Sequence, residues 1–148
     1  EAFMQAGAIV LITGAGGAFG AILRTMDIAS IIDLESSTGV GGLLIAFLIA
    51  AVLKTAQGSS TVAIITTSAI IAPLLETFGL ISITDKALAV LAIGAGAMTV
   101  SHINDSYFWV VSQFSHMKVK TALKGHTLGT LIQGMVGLAM ILFLYALL

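Results

Sequence analysis

The sequence predicts an all-α integral membrane protein containing a re-entrant helical hairpin and a discontinuous transmembrane helix, and three observations carry that prediction. First, 58% of the 148 residues are hydrophobic and 9% are charged, whereas a soluble globular domain carries about 25% charged residues. A domain of this size needs a polar shell, and six Lys and Arg with seven Asp and Glu do not supply one. Second, the charges divide the chain into uncharged runs, 2–23, 36–53, 55–75, 87–104 and 125–148, each near the length of a membrane element. Third, clusters of glycine and polar residues interrupt apolar stretches at positions where lipid offers no hydrogen-bond partner. The same composition argues against a soluble enzyme, and a net charge of −1 without a basic patch leaves no footprint for nucleic acid. With no Cys there are no disulfides, no thiolate chemistry and no Cys-type zinc site. Glu1 stands inside an apolar stretch with no basic segment before it, so no signal peptide is visible and the chain reads as a fragment of a longer polypeptide.

Taken in order, 2–23 is expected to be a transmembrane helix. Its Gly14-Ala15-Gly16-Gly17-Ala18-Phe19-Gly20 segment invites comparison with a dinucleotide loop. Position 19 is Phe and no strand-turn-helix unit surrounds it, so Gly16 and Gly20 are read as a close-packing pair, and Gly125 and Gly129 likewise. The next stretch, 39–53, makes an apolar arm roughly 22 Å long, too short for about 30 Å of hydrocarbon. A polar stretch follows, Lys54-Thr55-Ala56-Gln57-Gly58-Ser59-Ser60, and then a second short arm, 61–75, with Pro73 near its end. Two short arms around a polar tip define a re-entrant hairpin over 39–75. Non-helical backbone at membrane depth survives only when buried in protein or lining a watery cavity, so the tip predicts a site as well as a shape.

The run 87–114 is long enough to span but carries Gly94, Gly96, Thr99, Ser101, His102, Asn104 and Asp105 at its centre, the mark of a helix broken near the midplane. Lys118, Lys120 and Lys124 then form the densest positive charge, which places their loop on the cytoplasmic side. The last span is 127–148, which crosses without strain.

The candidate site residues follow from these breaks. Gln57, Gly58, Ser59, Ser60 and Thr61 offer an amide, hydroxyls and flexible backbone at the tip; Lys54 beside them is a cation suited to an anionic substrate. The competing readings are a polar extramembrane loop and a lysine that snorkels or pairs structurally. Ser101, His102, Asn104 and Asp105 read as a transport site, with Ser101 and Asn104 for substrate and Asp105, helped by His102, for a coupling proton. Desolvation favours the neutral carboxylic acid and so lets Asp105 load and release a proton. A structural hydrogen-bond network is the competing reading. A hydrolase triad is not supported by residues so close in sequence, and His102 with Asp105 supplies too few ligands for a metal. His116 and His126 are expected in solvent or headgroups, and Trp109 and Tyr145 as packing or interfacial residues.

Three ordered blocks, TGAGGAFGAIL at 13–23, KTAQGSSTVA at 54–63 and GAGAMTVSHINDSYFW at 94–109, resemble the gluconate permease family of bacterial proton symporters, whose members carry sugar acids and, in one branch, D-serine. Lys54 stands where familiar members carry Arg, and Ser106-Tyr107 replaces a smaller Ala-Gly pair. The resemblance implies half of an inverted-repeat secondary transporter, with substrate bound between hairpin tip and helix break. It also implies a missing N-terminal half of the same chain and an elevator-like, proton-coupled cycle in a homodimer. On that basis the expected function is proton-coupled uptake of gluconate or a related small hydroxylated carboxylate by a multi-pass protein of the bacterial inner membrane, with no cofactor and no metal. The alternatives are a Na⁺-coupled or D-serine-type carrier of the same fold, or a non-transporting membrane packing subunit.

Overall fold

The computed structural model describes residues 38–148; the expected helix 2–23, its Gly16–Gly20 pair and Ser36 lie outside the described residues. Five α-helices are found there: α1 (Val40–Gln57), α2 (Ser60–Ile71, continued by a 3₁₀ turn at Ala72–Leu74), α3 (Ile83–Ala97), α4 (Ser106–Phe114) and α5 (Val119–Leu147). Among the described residues there is no β-strand. Of these, α1 and α5 are long and apolar enough to cross a membrane.

The first arm does not end at Leu53. Helix α1 runs on through Lys54 to Gln57, giving 18 residues and about 27 Å of helix. The polar residues stay helical because their groups are satisfied: Thr55 Oγ1 donates back to the Ala51 carbonyl at 2.8 Å, and the carbonyls of Thr55 and Ala56 meet side chains from the helix break described below. Gly58 then stops the helix with φ 74°, its N–H donating to the Lys54 carbonyl at 2.8 Å, the left-handed cap that glycine adopts without penalty. Ser59 caps α2 by accepting the Val62 N–H at 3.3 Å. The tip is therefore two residues wide, Gly58 and Ser59. At the opposite end the hairpin closes on itself, for the Gly39 N–H donates to the Phe78 carbonyl at 2.8 Å. Pro73 falls at the start of the 3₁₀ turn, where its missing N–H is least costly.

Helix α3 starts earlier than 87, because Ser82 and Asp85 form a capping box. It also runs further than expected. Gly94 and Gly96 lie inside it, and a Cβ at Gly96 would overlap the Phe47 carbonyl; this glycine lets α1 and α3 touch backbone to backbone. The break proper is 98–105, where Val100 holds φ 46°, a costly value for a β-branched residue. Helix α5 begins at Val119 rather than 127, so Lys120 and Lys124 ride on its first turns. Its Gly134 meets Thr99 and the Ala95 carbonyl, whereas Cβ atoms at Gly125 and Gly129 would have no neighbour within 4 Å among the described residues. The packing expected of that second pair is thus not seen there. The core joins Leu43, Phe47 and Ala50 of α1 to Leu88 and Ala92 of α3 and Leu138 of α5. Leu48, Val52, Val90 and Phe143 stay exposed, an apolar exterior suited to lipid.

Candidate functional site

The tip of the α1–α2 hairpin docks into the break between α3 and α4. Gly58 makes this possible, since a Cβ there would overlap the main chain of Asn104. Asn104 Nδ2 donates to the carbonyls of Thr55 at 2.8 Å and Ala56 at 3.3 Å, and His102 Nε2 lies 3.1 Å from the Thr55 carbonyl. A carbonyl only accepts, so Nε2 of His102 carries the proton. These two side chains cap the C-terminus of α1, whose last carbonyls lack intrahelical partners.

The break itself is satisfied from α5 and α4. The Ser101 N–H donates to Thr130 Oγ1 at 3.0 Å, Thr127 Oγ1 donates to the Ser101 carbonyl at 2.6 Å, and Trp109 Nε1 donates to the Ile103 carbonyl at 2.7 Å. Non-helical backbone of the break is in this way hydrogen-bonded within the protein, as an apolar solvent requires. Asp105 begins α4 as its N-cap, Oδ1 accepting the Tyr107 N–H at 3.0 Å.

A buried ion pair lies at the junction. Lys54 Nζ donates to Asp105 Oδ2 at 2.5 Å and to the Gly58 carbonyl at 3.3 Å, and Ser101 Oγ donates to the same Oδ2 at 2.5 Å. The two charged side chains are 2% and 6% exposed, so neither is solvated. Such a pair holds only while both partners and their hydrogen bonds are in place. Beside it opens a cleft of about 510 Å³, within the usual range of small-molecule sites.

Of the residues the sequence singled out, Lys54, Ser60, Ser101 and Asp105 line this cleft. Gly58, Ser59, His102 and Asn104 build the junction instead. Gln57 and Thr61 are exposed beside the tip and do not reach the cleft wall. The His102 ring bonds to the Thr55 carbonyl rather than to the Asp105 carboxylate, although the Asp105 N–H donates to the His102 carbonyl at 2.8 Å. Sequence reasoning missed the opposite wall, formed by Tyr107 and by Gly125, His126, Gly129, Thr130 and Gln133 of α5. His126 is half-buried, its Nε2 3.1 Å from Ser101 Oγ, and not in solvent. Four of these, at 126, 129, 130 and 133, follow one face of a helix, and that spacing of small and polar residues within an apolar run was the available signal.

An ion pair and hydroxyls thus surround a cleft held between a helical hairpin and an interrupted apolar segment, an arrangement that suits a membrane permease. The sequence pattern of the GntP family permeases matches residues 1–148, and the chain belongs to that family. It is 41% identical to a gluconate permease of Pseudomonas aeruginosa over 93% of this chain and 30% of that protein. Identity is 37% to a gluconate permease of Bacillus subtilis, over 97% of this chain and 31% of that protein. To the D-serine transporter DsdX of Escherichia coli K12 it is 38%, over 88% and 29%. The chain thus spans about 30% of the length of these relatives. No solved structure matches it.

Proposed function

We propose that this chain forms part of the C-terminal half of a secondary active transporter that takes up gluconate, or a related small hydroxylated carboxylate, across the bacterial inner membrane together with a proton. The buried Lys54–Asp105 pair at the cleft carries this reading. An incoming carboxylate competes with Asp105 for Lys54, the one cation lining the cleft among the described residues. Asp105 is then a desolvated carboxylate without a counter-ion, and it is neutralised by taking up a proton. Anion and proton each favour the other's binding, which is the linkage a symporter needs. Ser60 and Ser101 supply hydrogen bonds to substrate hydroxyls, with Gln57 and Thr61 facing the part of the site that the N-terminal half completes. Asn104, Gly58, Ser59 and His102 set the position of the tip. The cycle uses no cofactor and no resident metal.

In the same reading 39–75 is re-entrant, 87–114 a broken transmembrane helix and 127–148 the core of the last span. Together with the apolar segment 2–23 they belong to the second of two inverted repeats in a multi-pass homodimer. What supports the hairpin is that its two ends meet at Gly39 and Phe78 while its tip stops at the break. The test is uptake of labelled gluconate and D-serine by the full-length parent in vesicles under a pH gradient, with a Na⁺ gradient as the parallel arm. Asp105→Asn is expected to abolish pH-driven accumulation while retaining the α4 cap, since Asn also accepts the Tyr107 N–H. Normal uphill uptake by that variant would remove Asp105 from coupling, and accumulation driven only by Na⁺ would replace the ion.

A further inference from the structure

We propose that His126 is the entry point of the coupling proton and hands it to Asp105 through the hydroxyl of Ser101. This rests on the proton-coupled reading above, and the chain of atoms that supports it is closed. Ser101 Oγ donates to Asp105 Oδ2, and a carboxylate only accepts, so the single hydroxyl hydrogen of Ser101 is committed. Its oxygen is left to accept. His126 Nε2, 3.1 Å away, therefore donates to it, which fixes the tautomer: hydrogen on Nε2, a lone pair on Nδ1. Every hydrogen in the row His126, Ser101, Asp105 points toward the carboxylate.

A proton that binds Nδ1 converts the ring to imidazolium. The Nε2–H bond then breaks as a new O–H bond forms at Ser101, and the original Ser101 O–H bond breaks as one forms at Asp105 Oδ2. The products are neutral His126 with hydrogen on Nδ1, an intact Ser101 hydroxyl donating to Nε2, and a neutral Asp105 donating to Ser101. One proton has moved and nothing has been oxidised or reduced. The row reverses direction, and after the proton leaves Asp105 it resets when the Ser101 hydroxyl turns back to the carboxylate and the imidazole gives up its Nδ1 hydrogen and regains one on Nε2. Histidine suits this position because its ring accepts a proton at one nitrogen and donates one from the other.

The surroundings hold the ring in place. Tyr107 and Phe108 stand at centroid distances of 5.6 and 6.0 Å from it. The titratable groups that share its cleft are Asp105 and Tyr107 at the start of α4 and Lys54 at the end of α1; on its own helix the nearest charge in sequence is Lys124. Lys54 stays bonded to the Asp105 carboxylate until the substrate carboxylate draws its ammonium away, and only then does the relayed proton come to rest on Asp105. His102 cannot replace His126 in the row, since its Nε2 is bonded to the Thr55 carbonyl.

The experiment uses the full-length parent in proteoliposomes, with labelled gluconate and, in parallel vesicles, labelled D-serine. Two rates are measured, uptake driven by a pH gradient and substrate exchange at equal pH, and their ratio is read. His126→Gln keeps a donor for Ser101 but cannot pick up a proton. The ratio is expected to fall on the order of tenfold or more. An unchanged ratio overturns the relay, as does a loss of both rates in equal proportion. If His126→Gln fails to insert, Ser101→Ala is read by the same ratio: a fall of similar size supports the relay, and an unchanged ratio or an equal loss of both rates overturns it. Asp105→Asn is run beside them. A collapsed ratio there with a normal one in His126→Gln defeats the relay alone, whereas a normal ratio in Asp105→Asn defeats the coupling reading beneath it.

Discussion

Asp105 answers to three partners at once: Lys54 and Ser101 at Oδ2 and the Tyr107 amide at Oδ1. Removing any one leaves the others with a carboxylate in a changed state, so their energies are coupled. Lys54→Met strands the buried carboxylate and is expected to cost about 3–5 kcal/mol, read as a fall in thermal stability in detergent. Adding Asp105→Asn to Lys54→Met should recover part of that loss, because Asn is neutral and still caps α4. Strictly additive losses in the double variant would mean that the two residues do not act as a pair. Lys54→Arg keeps the charge and is expected to be the mildest change for anion uptake, though the guanidinium is a planar fork where the ammonium is compact.

At the scale of the elements, glycines divide into those that fasten helices and those that leave room. Gly58→Ala meets a positive φ and the Asn104 main chain together, and is expected to cost about 1–3 kcal/mol and to undock the tip, seen as proteolysis near residue 58. Gly129→Ala meets nothing within 4 Å, so stability should hold or rise by up to about 1 kcal/mol. Its methyl group narrows the cleft, and the KM for gluconate should rise more than that for the smaller D-serine; equal shifts would place Gly129 outside the substrate path. The hairpin and the break were legible in the sequence because charge and glycine interrupt apolar runs at fixed places, and Lys54, Ser60, Ser101 and Asp105 were legible with them. The end of α1 was not, since the side chains that keep residues 55 and 56 helical come from His102 and Asn104, 47 to 49 positions away. His126 was hidden by the early start of α5 at Val119, which carries it from an expected loop onto a helix facing Ser101.

For the whole molecule, one end gathers Thr38 and Gly39, the close of the hairpin at Phe78, the start of α3 at Ser82 and the end of α5 near Tyr145. These 148 residues contain no Cys, so single replacements are made in a full-length parent from which any Cys elsewhere has been removed. Thr38→Cys and Thr84→Cys are expected to label from outside intact cells and Val119→Cys only after permeabilisation. Labelling of Thr38 and Thr84 from opposite faces would exclude a re-entrant hairpin. The Lys54–Asp105 bond joins residues 51 positions apart, and that separation bears on biogenesis. A nascent hairpin emerges carrying an ammonium that the bilayer interior does not tolerate unpaired, while its carboxylate partner has yet to be made. Synthesis must pass the whole of α3 before the debt can be cleared. On the re-entrant reading the hairpin is expected to wait at the interface and to reach its final depth late, after Asp105 has arrived to receive it, so that the order of assembly follows from the distance between two charges.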